Sequence, residues 1–330
     1  MKLSLIICTY QRPDALSKLL DSVALQTTKP DEIIIVDGSK DDLTGEMLAK
    51  GLIENLQYFR VSEKDRGLTK QRNFGIEKTD FDTEIVAFLD DDVILTPDYF
   101  EHILGAFQQN ACAAGVGGVA INENRWKPST LRKSTLKKYV FEGYEIKESS
   151  RFYLRNLLGL NPKENPSIMP NFSHGRTYSY PLNGKTYKVD LLLGMAMSFR
   201  RDVFTHIKFS SFFIGYGLYE DADFSIRAQK YGANLICTKA QLIHNHAPQG
   251  RPDYYKYGKM VIRNGWYVWR VKFPNPTFKS KLKWHATAFV LTLVRLSNSI
   301  TSKSKGDAFL ESVGRIVGWW SLLIKKPNIL

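Results

Sequence analysis

The chain begins with an apolar run too short for a helix and too continuous for a half-exposed strand. "KLSLIICT", residues 2–9, reads as a strand buried on both faces. The next segment, "RPDALSKLLDSVALQ", changes period. Its apolar positions Leu16, Leu19, Leu20 and Val23 fall at helical spacing, and Pro13 suits a first turn. The two periods then alternate. "DEIIIVDG", "LQYFRVS", "EIVAFLD" and "AAGVGGVAI" read as strands; "LTGEMLAKGL", "GLTKQRNFGIEK" and "PDYFEHILGAFQQ" read as helices. This rhythm predicts an α/β fold with a doubly wound, mostly parallel sheet and helices on both faces. Ligands of such sheets bind beyond the carboxyl ends of the strands. Asp37 ends one strand and Asp90 to Asp92 end another, so the two acidic sites are expected to face one crevice.

Residues 122–190 break the rhythm. They are rich in Lys, Asn, Pro and Ser, and "NPKENPSIMPNFSHG" reads as a long loop. Order returns with "LLLGMAMSFRRDVF", a strand running into a helix start. "YEDADFSIRAQKYG" follows as a helix closed by Gly232, and "ANLICTKAQLIH" as a strand. The expected organisation is a binding half at 1–121, a second half at 122–250 carrying an insert at 122–190, and a separate region at 251–330.

Composition narrows the class. An apolar content of 43% over 330 residues supports a substantial core. Cys8, Cys112 and Cys237 form no paired motif, so neither a disulfide framework nor a cysteine zinc site is indicated, as suits a reducing compartment. "MKLSLIICTY" meets "QRPD" too soon to read as a leader, and no apolar stretch reaches the roughly 18 residues of a membrane-spanning helix. The net charge of +13 is concentrated at one end: residues 251–330 hold 15 Lys and Arg against 3 Asp and Glu.

Three adjacent aspartates at a strand end repel one another, and a bound cation relieves that repulsion. If the chain stays extended there, Asp90 and Asp92 share one side and Asp91 takes the other. Two carboxylates on one side suit a hard divalent cation, Mg²⁺ or Mn²⁺. The plainer alternative is an acidic strand exit. Asp37 can accept hydrogen bonds from a ribose or base, or can simply begin the turn at Gly38. Glu220 and Asp221 stand at a helix N-terminus, where the dipole favours carboxylates; one can also serve as general base. Asp223 and Arg227 make a structural pair at i,i+4. His244 and His246 in "LIHNHAPQG" share a face in extended chain and suit metal ligation. The glycines of "AAGVGGVAI" do not open a helix, so they fit close strand packing better than phosphate binding. The sequon at Asn171 to Ser173 is read as incidental.

Taken together, "SLIICTYQRPDAL", "EIIIVDGS", "GLTKQRNFGI", "FLDDDV" and "YEDADFSIR" resemble, in order and spacing, the motifs of family 2 glycosyltransferases. The resemblance covers roughly residues 3–246. It implies a GT-A fold, a nucleotide-diphosphate sugar donor, a divalent metal (Mn²⁺ or Mg²⁺) and inversion at the anomeric carbon. By the same resemblance, Thr9, Tyr10 and Arg12 line the nucleotide pocket, Asp37 meets the base and Arg72 lies against the nucleotide. Asp90 contacts ribose or base with Asp91 beside it, and Asp92 holds the metal, with His244 or His246 as a further ligand. Asp221 is the catalytic base, with Glu220 beside it on the acceptor. One departure is that "VDGSKDD" has one acidic residue before Gly-Ser where the family commonly has two. A UDP-sugar is the favoured donor, and a glycan or lipid-linked saccharide in surface polysaccharide synthesis is the acceptor expected.

The likeness fades after His246. The tail holds Trp266, Trp269, Trp284, Trp319 and Trp320, and "WHATAFVLTLVRLSNSI" and "FLESVGRIVGWWSLLIKK" mix apolar runs with basic residues. Such segments suit the membrane–water interface, so peripheral attachment to an anionic cytoplasmic leaflet is expected. A helical cover or dimer interface is the competing account, and no nucleic-acid motif accompanies the charge. Among other functions, a sugar nucleotidyltransferase would carry a glycine-rich N-terminal signature that "ICTYQRPDAL" lacks. A catalytically inactive scaffold is disfavoured by the full set of acidic motifs.

Overall fold

Strand β1 (Leu3–Thr9) is buried almost throughout, as its uninterrupted apolar run requires. In chain order there follow α1 (Pro13–Ala24), β2 (Glu32–Asp37), α2 (Leu43–Leu48), β3 (Leu56–Arg60), α3 (Leu68–Lys78), β4 (Ile85–Asp90), β5 (Val93–Leu95), α4 (Tyr99–Gln109) and β6 (Ala113–Ala120). Then come β7 (Lys127–Pro128), β8 (Lys138–Phe141), β9 (Tyr144–Lys147), α5 (Ser150–Leu157), β10 (Thr186–Val189), β11 (Ala196–Arg200), α6 (Val203–His206), α7 (Glu220–Ala228) and β12 (Ala233–His244). Helices α8 (Tyr254–Lys272), α9 (Phe278–Thr301) and α10 (Lys305–Ile324) close the chain. The computed structural model describes residues 1–51, 53–177, 179–246 and 253–329. The chain divides into two compact units, Met1–Asn124 with Leu182–Arg251, and Arg125–Pro181 with Pro252–Leu330.

The first unit is built on a nine-stranded sheet of order β10-β12-β6-β11-β4-β1-β2-β3, with β5 paired to β12. Strands β1, β2, β3, β4, β6 and β12 run one way; β5, β10 and β11 oppose them. Leu16, Leu19, Leu20 and Val23 of α1 are buried, the stripe that their spacing predicts. Register decides what meets at the carboxyl ends. Thr9 pairs with Asp37, and Cys8 with Asp90, so three strand ends finish level. On the far side β12 lies antiparallel to β5 with His244 opposite Val93, which brings the histidine beside Asp92. Close packing explains the glycines of β6: a Cβ on Gly118 would stand 2.6 Å from the Tyr99 ring and 2.8 Å from the Ala240 carbonyl.

The second unit absorbs most of the segment expected as an insert. Residues 127–147 form a three-stranded antiparallel sheet, β7-β9-β8, and α5 follows. The sequence reading missed these because the strands are two to four residues long and broken up by Lys127, Lys138, Glu145 and Lys147. Residues 158–177 hold no helix or strand, as the loop reading expects. They are fixed by a buried network: Arg176 donates to Glu148 Oε1 (3.0 Å), Asn161 Oδ1 (2.9 Å) and the Pro162 carbonyl (2.6 Å). Helices α8 and α10 cross backbone to backbone, and a Cβ on Gly314 would come within 2.1 Å of the Tyr255 carbonyl oxygen. Trp266, Trp269 and Trp284 are core residues, and Trp269 and Trp284 stack at 5.7 Å. Only Trp320 of the tail's five tryptophans is exposed (57%). Two helices nonetheless carry apolar stripes in the open: Phe278, Leu282, Phe289, Leu293 and Ile300 on α9, and Phe309, Ile316, Trp320 and Leu323 on α10. Among the described residues no helix is long and apolar enough to cross a membrane.

Candidate active site

The level strand ends place an acidic cluster in the first unit. The chain turns at Asp91 and Asp92 instead of running extended. Asp91 points to β1 and its loop: Thr9 Oγ1 donates to Asp91 Oδ2 (2.7 Å), and Arg12 Nη1 to Asp91 Oδ1 (3.0 Å). Burial pushes the Asp91 carboxyl up to about 6, against the pull of Arg12 and Thr9. Asp90 and Asp92 turn instead toward His244, and ligand atoms of these three residues lie within 4.8 Å of one another. His244 Nε2 is 3.4 Å from Asp92 Oδ1. Burial opposes charge on His244, but hydrogen bonds to Asp92 and Glu123 outweigh it and raise the imidazole to about 9. Two carboxylates and an imidazole form a donor set that can hold a divalent cation. The negative charge gathered there fits a divalent cation. His246 belongs to a neighbouring group with Glu123 and His244. Residues 247–252, which continue that motif, lie outside the described residues.

Helix α7 brings Glu220 and Asp221 to the same end of the sheet, and the two carboxylates have different surroundings. Asp221 is partly exposed, with Oδ2 accepting the Gly194 N–H (2.9 Å) and Oδ1 the Ala222 N–H (2.8 Å). Glu220 is 4% exposed and ion-paired with Arg72, itself 2% exposed. Arg72 also donates to the Gly194 carbonyl (3.0 Å) and reaches Asp90 Oδ1 at 3.5 Å. Burial raises the Glu220 carboxyl to about 8, with Arg72 opposing.

Glu220, Arg72 and Asp37, three of the expected site residues, are buried. The sequence reading sets Glu220 against the acceptor and Arg72 against the nucleotide. In the structure both side chains are buried and paired with each other, linking α7 to the end of β4. Asp37, expected at the base, is fully buried with both oxygens engaged: Oδ1 accepts the Ser39 N–H (2.7 Å) and Oδ2 the Tyr58 hydroxyl (2.9 Å). What opens beside it is a cavity of about 480 Å³ lined by Ser39, Lys40, Arg60, Val61, Ser62, Glu63 and Arg66. Arg66 donates to the Gly38 carbonyl (2.6 Å) and lies 5.7 Å over the Tyr10 ring. None of the cavity residues was singled out from sequence, although "GSKDD" directly follows the motif strand. Asp223 and Arg227 pair as expected, at 2.5 Å.

A curled α/β sheet with an acidic, cation-suited cluster at its carboxyl ends defines the class as GT-A. The solved mannosyltransferase PcManGT of Pyrobaculum calidifontis, in complex with GDP-Man and Mn²⁺, superposes with a TM-score of 0.53 at 14% identity. The match covers 99% of this chain and 76% of that one. The chain belongs to glycosyl transferase family 2, whose model matches residues 4–204. It is 32% identical over 124 residues to the glucosyl-dolichyl phosphate glucuronosyltransferase of Haloferax volcanii, covering 37% of this chain and 39% of that protein. It is 34% identical over 119 residues to the O-antigen chain rhamnosyltransferase RfbN of Salmonella typhimurium, covering 36% and 37%. The chain thus spans about two fifths of the length of these curated relatives.

Proposed function

We propose that the protein is a cation-dependent glycosyltransferase. In this reading it moves a sugar from a nucleotide-diphosphate donor, a UDP-sugar in preference, to a hydroxyl of a glycan or lipid-linked acceptor, with inversion. One observation carries the reading: Asp90, Asp92 and His244 converge at the sheet's carboxyl end, joined to α7 through Arg72. Asp90, Asp92 and His244 would hold the cation, whose charge would offset that of the leaving diphosphate. The nucleoside lies along the ends of β1 and β2, with Tyr10 and Arg66 at the mouth of the cavity. Thr9 fixes Asp91, and Arg12 reaches both Asp91 and, at 3.7 Å, Asp92 Oδ2 at the edge of the cation site. Asp221 takes the proton of the attacking hydroxyl, its orientation set by the Gly194 and Ala222 N–H groups. Glu220 and Arg72 keep Asp221 and Asp90 at a fixed separation. The glycan and lipid-carrier chemistry named for the curated relatives supports this class of acceptor.

The apolar stripes of α9 and α10, together with the tail's basic excess, support peripheral attachment to an anionic membrane face. A cytoplasmic leaflet is the surface this reading names.

The test is a thermal-shift panel of UDP-, GDP- and dTDP-sugars with and without Mn²⁺, on the wild type and on Asp92→Ala. Ligand binding raises stability by mass action. The wild type is expected to gain stability from one nucleotide class, and only with Mn²⁺; Asp92→Ala should gain none. Indifference of the wild type to every combination would overturn the reading.

A further inference from the structure

The short turn after β6 has no part in the chemistry assigned so far, yet it holds His244 at three points. Asn122 grips the main chain: its Nδ2 donates to the His244 carbonyl (2.8 Å), and its Oδ1 accepts the His244 N–H (3.1 Å). Glu123 grips the ring: its Oε1 lies 2.9 Å from His244 Nδ1. On the other side, the Asn245 N–H donates to the Asp92 carbonyl (2.9 Å), which ties the same stretch to the acidic turn. The pairing of β6 with β12, Ala120 beside Leu242, aligns the two segments.

We infer that Glu123 is a positioning residue for the cation site. A carboxylate accepting from Nδ1 fixes the plane of the imidazole, so that Nε2 faces Asp90 and Asp92 and can give its lone pair to a cation held there in place of the proton. Partners of this kind set ligand basicity and geometry, and losing one typically costs about 10–100-fold in metal affinity. The same Glu123 oxygen lies 2.8 Å from His246 Nε2. The rings of His244 and His246 sit 3.9 Å apart, so His246 backs the arrangement from the exposed side. In this assignment His246 is not a ligand. Its nitrogen serves the carboxylate that orients His244, and Glu123 itself contacts no cation. The alternative is that Glu123, His244 and His246 close around an ion of their own. That would pull His244 Nδ1 onto a metal and leave Asp90 and Asp92 without an imidazole. Geometry favours the first arrangement, because Nδ1 and Nε2 already have different acidic partners.

The inference rests on the reading that Asp90, Asp92 and His244 hold the donor's cation, and its test separates the two. Free Mn²⁺ is counted by electron paramagnetic resonance during titration of the full-length protein and of Glu123→Ala, Glu123→Gln, His246→Ala and Asp92→Ala. Each variant's melting temperature is recorded without metal. The expected result is one ion per chain, with affinity lowered about 10–100-fold in Glu123→Ala. Glu123→Gln, whose amide oxygen still accepts from Nδ1, should recover part of the loss. His246→Ala should fall within a few-fold of wild type, and Asp92→Ala should bind no ion. Unchanged affinity in Glu123→Ala beside a null Asp92→Ala overturns the inference and leaves the cation site standing. A lower metal-free melting temperature with unchanged affinity overturns it too, because Glu123 would then be structural only. Two ions per chain, or equal losses in Glu123→Ala and His246→Ala, would assign Glu123 and His246 as ligands. Wild-type affinity in Asp92→Ala would instead bring down the reading of the acidic cluster itself.

Discussion

At Asp221 each carboxylate oxygen accepts a main-chain N–H, so the side chain is aimed before any acceptor arrives. Asp221→Asn keeps size and removes the base. Turnover should fall by about 10²–10⁴, the usual contribution of general-base catalysis. Nucleotide affinity in the presence of Mn²⁺, measured by calorimetry, should stay near wild type; equal losses in both would assign Asp221 to binding. The cluster was legible at this scale because three aspartates and two histidines at strand ends are conspicuous by type and place. Burial was not legible. Nothing in "KQRN" says that Arg72 will sit beneath the Gly194 carbonyl, because the segment that covers it lies 122 residues away. Asp37 stands out in sequence as a strand-end carboxylate, but its hydrogen bond from Tyr58, on the neighbouring strand, does not. Glu123 was invisible for the same reason, since only the β6–β12 pairing brings it to His244.

Among the elements, α10 offers a paired comparison. A methyl group on Gly314 would strike the Tyr255 carbonyl at 2.1 Å, whereas one on Gly306 meets nothing within 4 Å. Alanine has the better helix propensity at both sites, by about 1 kcal/mol. Gly306→Ala should therefore raise the unfolding free energy by up to about 1 kcal/mol. Gly314→Ala should lower it by about 1–3 kcal/mol, the usual cost of overpacking. Chemical denaturation of both variants checks the opposite signs; equal signs would mean that α8 and α10 do not cross at the glycines. The parallel strands were legible because strands covered on both faces must be continuously apolar. The reversed direction of β11 was not, since a strand's pattern carries no polarity and the long segment before it fixes none. Strands β7 to β9 escaped because a three-stranded sheet with exposed Lys127 and Lys138 shows no clear period 2.

For the whole molecule, two properties follow from the second unit. His174 is enclosed, with Nε2 3.1 Å from the Gly265 carbonyl, and burial lowers its imidazole to about 4. A folded-state value below the ordinary 6.5 means that the unfolded chain takes up the proton first. His174 therefore costs no stability above pH 6.5. Between 6.5 and about 4 the loss steepens toward about 1.4 kcal/mol per pH unit, and it levels off below that. Denaturant unfolding of the wild type and of His174→Gln across this range should show the difference in slope; parallel curves would mean that His174 is solvated. The second property concerns surface. Apolar stripes on α9 and α10 remain uncovered, and residues 251–330 carry a balance of +12. Each Lys or Arg near an anionic bilayer contributes about 1 kcal/mol, and apolar insertion adds to it. The protein should float with vesicles of anionic phospholipid and not with neutral ones, and salt should release it. The double variant Phe289→Ser, Trp320→Ser should stay in the dense fraction even at low salt. Lys325→Glu with Lys326→Glu should shift the salt needed for release downward. If the stripes cover a second copy of the chain instead, sedimentation will show a dimer that Phe289→Ser, Trp320→Ser dissociates, and no vesicle will carry the wild type upward.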